Sequence, residues 1–437
     1  MTGPIDLSLL PRTADVADDG RLRIGGCDLA DLAEEYGTPL FVYDETELRE
    51  CCREYAGEFG AGDVAYASKA FLCRAMVRLV GEEGLLLDVA TGGELHIALS
   101  GGFPSERIVF HGNNKSTEEL ERALRSGVGR IVLDSFDEID RVEALVATGL
   151  PAPSVLVRVT PGVAADTHRH IETGVEDTKF GFTVAGGIAL EACRRAASSG
   201  AMHFAGIHTH IGSQISTVEP YALATSVVGA LLADVEAVTG QPVEELNLGG
   251  GVAVRYTADA PVLAVADYAR ALREALDTAC AHPGVSSRPR LMVEPGRSIA
   301  ARAGVTLYRV GTIKEIPGVR TYVAVDGGMS DNPRPATYGA RYEAFVPTRA
   351  GAPRPRRATV AGKHCEQGDV VVHDADLPDD LAVGDLVCTP VTGAYGYSMA
   401  SNYNAVTRPA VVFVRDGAAR LVMRRETLDD LLRLDEG

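Results

Sequence analysis

Residues 64–90 read VAYASKAFLCRAMVRLVGEEGLLLDVA. An apolar run ends in Ser68-Lys69, a helical pattern follows, and a second apolar run carries Asp88 near its end. Strand, helix, strand is the βαβ unit, whose crossover helix lets the two strands run parallel. The pattern then recurs along the chain. RIVFHG (107–112), RIVLDS (130–135), SVLVRV (154–159), HFAGIHTH (203–210), ELNLGG (245–250) and RLMVEP (290–295) all read as strands. Amphipathic segments lie between most of them, among them TEELERALRSG (117–127), FDEIDRVEALVATG (136–149) and ADYARALREALDTACA (266–281). Eight strands alternating with helices predict an α/β chain built on a (β/α)8 TIM barrel. An open doubly wound sheet would usually show a Gly-rich turn after its first strand, where this chain has Ser68-Lys69.

After about residue 300 the texture changes. GVTLYRVGTIKEI, TYVAVDGG, DVVVHDADL, GDLVCTPV and RPAVVFVRDG read as short strands joined by turns, and helical patterning returns only at ETLDDLLRL. The expectation is a C-terminal β domain over 299–437, a barrel over 43–298, and an N-terminal segment, 1–42, that packs with the β domain. The basic, Pro-rich stretch from Arg349 to Arg357 reads as a solvated loop. A length of 437 residues suits one barrel of about 250 residues plus one smaller domain.

Asp and Glu outnumber Lys and Arg by 60 to 42, a formal charge of −18. That argues against nucleic acid or an anionic membrane as the main partner, since both reward a basic face. No stretch of 18 apolar residues occurs and the N-terminus lacks a signal-peptide pattern, so neither a membrane span nor secretion is expected. The eight cysteines are scattered without a CxxC pair, which suits reduced thiols in the cytoplasm.

In a barrel, chemistry gathers at the C-terminal ends of the strands. Here those ends carry Lys69, Asp88, His111, Arg158, His208 with His210, Gly249-Gly250-Gly251, and Glu294 with Arg297. A lysine in a barrel mouth, if buried, is suited to bond to a carbonyl carbon; a surface lysine is the plain alternative. Three glycines bring backbone N–H groups close to an anion such as phosphate, or simply make a flexible loop. Arg297 offers a forked donor, and Glu294 can hold a cation or a protonated ring nitrogen. His208 and His210, two apart on one strand, would share a face and could begin a metal site of the kind metallohydrolase barrels use, but the other pair so spaced, His168 and His170, reads as part of a loop beside many charges, and no metal is expected. Cys365, between His364 and Glu366, is either a proton donor near neutral pH or a structural thiol.

Taken together these segments resemble the pyridoxal 5'-phosphate (PLP)-dependent decarboxylases of the alanine-racemase-like barrel class, most of all the diaminopimelate branch. The stretches that carry the likeness begin with YASKA (66–70), TPGVAADTH (160–168), TKFG (178–181), HIGSQ (210–214), the triple glycine and EPGR (294–297). They continue with DGGMSDNPRPATYGA (326–340), CEQGD (365–369) and GAYGYSMASNYN (393–404), so the likeness spans roughly 25–415. The resemblance implies that Lys69 carries PLP and that His210 stacks on its ring. Ser213, Gly250, Gly251, Gly296 and Arg297 would hold its phosphate end, with Arg297 also near the substrate. Glu294 would pair with the ring nitrogen. Arg334, Tyr338 and Glu366 would bind the distal amino-acid end of the substrate, Tyr395 would touch cofactor and substrate, and Cys365 would be the proton donor, brought by the other subunit of a homodimer.

The activity so implied is decarboxylation of meso-2,6-diaminopimelate to L-lysine in lysine biosynthesis. An arginine suits that substrate because its fork binds both oxygens of a distal carboxylate. Gln367 and Gly396 depart from the family pattern, the first where a serine is common and the second where a bulkier residue is. They leave open a relative acting on another or an acyl-linked amino acid. A silent regulator on the same fold would be expected to lose Lys69 or Cys365, and both are present.

Overall fold

The structure, a computed structural model, describes residues 5–163 and 178–437. Contacts divide the chain into two units. A barrel unit comprises Cys51–Ala253 and Val262–Ser298, and a β unit comprises Met1–Glu50, Val254–Pro261 and Ile299–Gly437. Compared with the expected barrel limits of 43 and 298, the β unit reaches further along the N-terminal segment and also takes in the excursion 254–261.

The barrel strands are β1 (Ala65–Ala67), β2 (Leu86–Val89), β3 (Ile108–Phe110), β4 (Arg130–Leu133), β5 (Ser154–Thr160), β6 (His203–His208), β7 (Glu245–Asn247) and β8 (Arg290–Met292). They pair in chain order, all parallel. Between β8 and β1 the ring is closed by a Val64–Val293 bridge and by Ala67 N–H donating to Pro295 O at 3.1 Å. Ala65, Leu86, Val109, Val132, Leu156, Ala205 and Met292 come from seven of the strands and form one buried cluster that fills the interior. Gly206 on β6 leaves no room for a side chain, since a Cβ would collide with the Glu245 carbonyl oxygen. At the strand starts, ion pairs link Arg130 to Glu245, Glu245 to Arg290 and Arg290 to Asp63 in a line.

The helices begin and end where local chemistry favours it. Ser116 and Glu119 form a capping box at the start of Thr117–Ser126, and Gly127 ends that helix with φ of 69°. The helix Glu219–Thr239 is long and apolar enough, by length and composition, to cross a membrane, a property the sequence reading did not anticipate. Its Tyr221, Ala224, Thr225, Val228, Leu231, Leu232 and Val235 form one buried stripe at three- and four-residue spacing. It packs beside Ile188–Ser198 and Val265–Cys280 as part of the barrel's helical layer.

The β unit contains an eight-stranded sheet and a small three-stranded one, Asp15–Val16, Leu22–Ile24 and Cys27–Asp28. In the larger sheet the pairing runs as follows. Gly304–Ile316 pairs with Leu40–Asp44, Arg320–Val325 and Leu386–Thr389, and Leu40–Asp44 pairs in turn with Ala410–Arg415. Three strands of the larger sheet were not expected as strands, among them Leu40–Asp44, which was expected only as part of a segment packing with this domain. Arg356–Ala361 uses the end of the stretch read as a solvated loop, and it is paired on both sides, by Arg320–Val325 and Val370–Leu377. Ala418–Met423 pairs only with Ala410–Arg415 and buries no residue fully, so its side chains give no inside-outside alternation to read.

Candidate active site

The barrel mouth converges on Glu294, which follows β8. Its Oε1 accepts hydrogen bonds from His111 Nε2 and Asn247 Nδ2, both at 2.7 Å, and its Oε2 is 3.1 Å from His208 Nε2. All four side chains are buried. Burial by itself would push the Glu294 carboxyl up, but His111 and His208 hold it well below the usual carboxylate range. Asp88 Oδ1 lies 3.8 Å from His111 Nε2, and burial pushes Asp88 up to about 6. For His111, burial lowers the pKa, but Glu294 and Asp88 outweigh it and the net shift is upward. Burial takes His208 down to about 4, so it is a neutral ring. His111, His208 and Glu294 place three potential metal ligand atoms within 4.8 Å of one another, and the hydrogen bonds just described already join them.

The expected shared face of His208 and His210 does not occur. Strand β6 ends at His208, and the chain turns as Thr209 N–H donates to Asn247 O. His210 instead meets the glycine run, with Gly250 N–H donating to its Nδ1 at 3.3 Å. That makes Nδ1 the acceptor and places the ring proton on Nε2. Burial and the nearby charges of Lys69 and Arg158 hold His210 well below its usual pKa, which leaves a flat neutral ring.

The triple glycine is required by close backbone packing. A Cβ on Gly250 would collide with the Glu294 carbonyl oxygen, and one on Gly251, at φ of 109°, with that of Gly212. Next to this run, the Arg297 guanidinium is buried and donates to Ser213 Oγ from Nη2 at 2.9 Å and from Nε at 3.3 Å. Gly296 packs against Ala67 and Ala70, with no space for a side chain. Lys69 sits in the turn Ser68–Ala70 that follows β1. Its neighbours Ser68 and Ala70 are buried and Lys69 itself is exposed, so of the two placements left open above, buried or surface, the exposed one holds. Asp88 and His210 both respond to its charge, which places it at the same mouth.

Sequence reasoning noted His111, Asp88 and Arg158 only as strand-end residues, and it missed Asn247 and the pair Lys115–Glu138. The signal for Asn247 was present, a polar residue two before the glycine run. Lys115 Nζ lies 2.6 Å from Glu138 Oε1, each side chain 1% exposed, and donates to the carbonyls of Gly112 and Val132. Burial acts against both charges, lowering Lys115 and raising Glu138. Lys115→Met is expected to cost about 3–5 kcal/mol of stability by leaving a lone buried carboxylate. Urea unfolding would show it as a lower midpoint; pairing the change with Glu138→Leu should recover most of the loss, and an undisturbed midpoint in the single variant would contradict the pair's role.

The other candidates lie on the β unit. Arg334 opens the short helix Arg334–Tyr338; it is buried, stacks 4.4 Å over the Tyr256 ring and donates from Nη1 to Tyr342 Oη. It forms no ion pair with a carboxylate among the described residues. Tyr338 at the helix end is partly exposed, as is Tyr395, which adopts φ of 60°. Cys365 and Glu366 are both exposed, which does not suit the structural thiol considered above. The Cys365 N–H donates to Asn404 Oδ1 at 3.0 Å, and the adjoining His364 is buried, bonded to Asp369 Oδ2 at 2.8 Å and stacked on Tyr403. Gly396 has a packing reason: a Cβ there would meet the Thr392 carbonyl oxygen at 2.8 Å and the Phe41 ring at 3.0 Å. His168, His170 and most of the 160–168 motif lie outside the described residues.

Residues 45–301 match the model of the family described as "Pyridoxal-dependent decarboxylase, pyridoxal binding domain". Over 434 residues the chain is 48% identical to the diaminopimelate decarboxylase of Mycobacterium tuberculosis, covering 97% of each protein. It is 48% identical to that of Bacillus subtilis, covering 95% of each. Among solved structures it resembles diaminopimelate decarboxylase from M. jannaschii in complex with L-lysine, with a TM-score of 0.90, 35% identity and 98% of each chain covered. The Helicobacter pylori enzyme with L-lysine superposes with a TM-score of 0.85 at 30% identity, covering 93% of this chain and 99% of that one.

Proposed function

The chain belongs to the pyridoxal-dependent decarboxylase family, and from that premise we propose that it decarboxylates meso-2,6-diaminopimelate at its D-centre to give L-lysine. The barrel mouth fits PLP in each of its parts. Ser213 and Arg297 with the collapsed glycine backbone suit a phosphate, His210 offers a flat neutral ring, Glu294 is an anion with acceptor capacity to spare, and Lys69 extends an amine. When bound, PLP supplies an electron sink for the bonding pair that a departing CO₂ leaves behind.

The observation that carries the choice of substrate is Arg334. A buried guanidinium with no carboxylate partner among the described residues is an incomplete ion pair, and a distal carboxylate on the substrate completes it. Ornithine and lysine have none to offer. Tyr338 and Glu366 are assigned to the same distal end, Glu366 as the acceptor for its ammonium, and Tyr395 to cofactor and substrate. Cys365 is assigned as the acid that returns a proton to the α-carbon, and its exposure suits delivery into the site of a second copy in a homodimer. We place the reaction in the cytoplasm, a reducing compartment that suits an exposed thiol such as that of Cys365. A decarboxylation assay across diaminopimelate, ornithine, lysine and arginine tests the assignment. Diaminopimelate should lead in kcat/KM by about 10²-fold or more, the discrimination a buried charged contact can supply; preference for any of the others would overturn it.

A further inference from the structure

Glu294 is held by donors from three separate strand ends. His111 and Asn247 fill both acceptor positions on Oε1, while Oε2 has a single donor, His208, at the longer distance of 3.1 Å. One acceptor position on Oε2 therefore stays open. Of the three donors His111 is distinctive, because its Nε2 stands between two carboxylates, 2.7 Å from Glu294 and 3.8 Å from Asp88.

We propose that His111 is a positioning residue for the decarboxylation, acting through Glu294: it keeps Oε1 saturated and the group anionic, so that Oε2 is the oxygen left to accept from the cofactor's ring nitrogen. The proposal rests on the assignment of Glu294 to that nitrogen. Its physical basis is the cost of an underbonded carboxylate in a buried site. Such a group rotates toward other donors or takes up a proton, and either change removes the anion the ring needs. Asn247 can hold the rotation but brings no charge. The His111 ring brings both, and the flanking carboxylates of Asp88 and Glu294 favour its protonated form against burial. His208, neutral and more distant, does not replace it.

The holoenzyme carrying His111→Ala or His111→Gln tests this. The Gln amide nitrogen reaches about as far as the histidine Nε2, so it restores the hydrogen bond without the ring. In His111→Ala, kcat should fall about tenfold or more with KM changed by less than about twofold, and the visible absorption band of the bound cofactor should move. His111→Gln should recover part of the rate and part of the band shift, the remainder reporting the charge that the amide does not carry. If the Ala variant does not fold, His111→Asn, whose amide stops short of Glu294, serves in its place with the same expectation. An unchanged band together with nearly unchanged kcat in the Ala or Asn variant overturns the proposal. Glu294→Gln separates the two levels. If it too leaves band and rate unchanged, the assignment of Glu294 falls; if it alters them while His111→Ala does not, only the role of His111 falls.

Discussion

Lys69→Ala should fold normally and lose turnover almost completely, with kcat down by about 10⁴-fold or more. The expected size follows from the kind of group removed. On the proposed assignment the variant would lose the chain's means of attaching the cofactor covalently, whereas the phosphate and ring contacts assigned to Ser213, Arg297 and His210 would remain. The structure gives reason to expect a normal fold: the Lys69 side chain is exposed in the turn after β1, and the backbone there is held by its buried neighbours Ser68 and Ala70. The protein should still take up PLP, more weakly, with the spectrum of the unattached aldehyde. Borohydride treatment of the wild type should trap the cofactor on a peptide containing Lys69, and a small primary amine added to the variant should restore part of the rate. Turnover in Lys69→Ala close to wild type would remove the lysine from the chemistry. A marked loss of thermal stability would assign it a structural role instead.

Arg334→Met should lower kcat/KM for diaminopimelate by about 10²–10³-fold, the equivalent of about 3–4 kcal/mol for a buried, forked, charge-assisted contact. Methionine fills similar space beside Tyr256 and Tyr342 without the charge. The loss should fall mainly on KM, because the contact is made at the far end of the substrate and differs little between bound substrate and transition state. Stability should move the other way or not at all. A buried guanidinium whose contacts are an aromatic face and a phenol is costly to fold around, and an apolar residue removes that cost while leaving one tyrosine hydroxyl without its donor. Weakened substrate binding with an unchanged or raised melting temperature is thus the signature of a substrate contact. If the melting temperature falls and KM does not rise, Arg334 is a structural residue and diaminopimelate loses its strongest support from this chain.

The barrel was legible because βα alternation is a local property, visible in each thirty-residue stretch on its own. The strand ends were read less well, and mostly too long. HFAGIHTH was read as one strand to His210 and ELNLGG to Gly250, but the strands stop at His208 and Asn247. The residues beyond turn across the mouth, where Thr209 reaches Asn247 and Gly249 adopts φ of 67°. A strand pattern in the chain carries no mark for the point at which the backbone leaves its ladder for a neighbour's. The half-exposed edge strand Ala418–Met423 was missed for the related reason that nothing buries one of its faces.

The sequence by itself determined that Lys69, Asp88, His111, Arg158, His208 and Glu294 stand on one rim, because parallel strands joined by helices all end on the same side. Only the tertiary structure decided which of them meet. His111, His208 and Asn247 precede Glu294 by 183, 86 and 47 positions, and all three bond to its carboxylate. That convergence depends on the register in which the ring closes, Val64 against Val293, and on β7 placing Asn247 beside β8. Closure is a balance of side-chain packing summed over eight strands, and no short segment of the chain contains it.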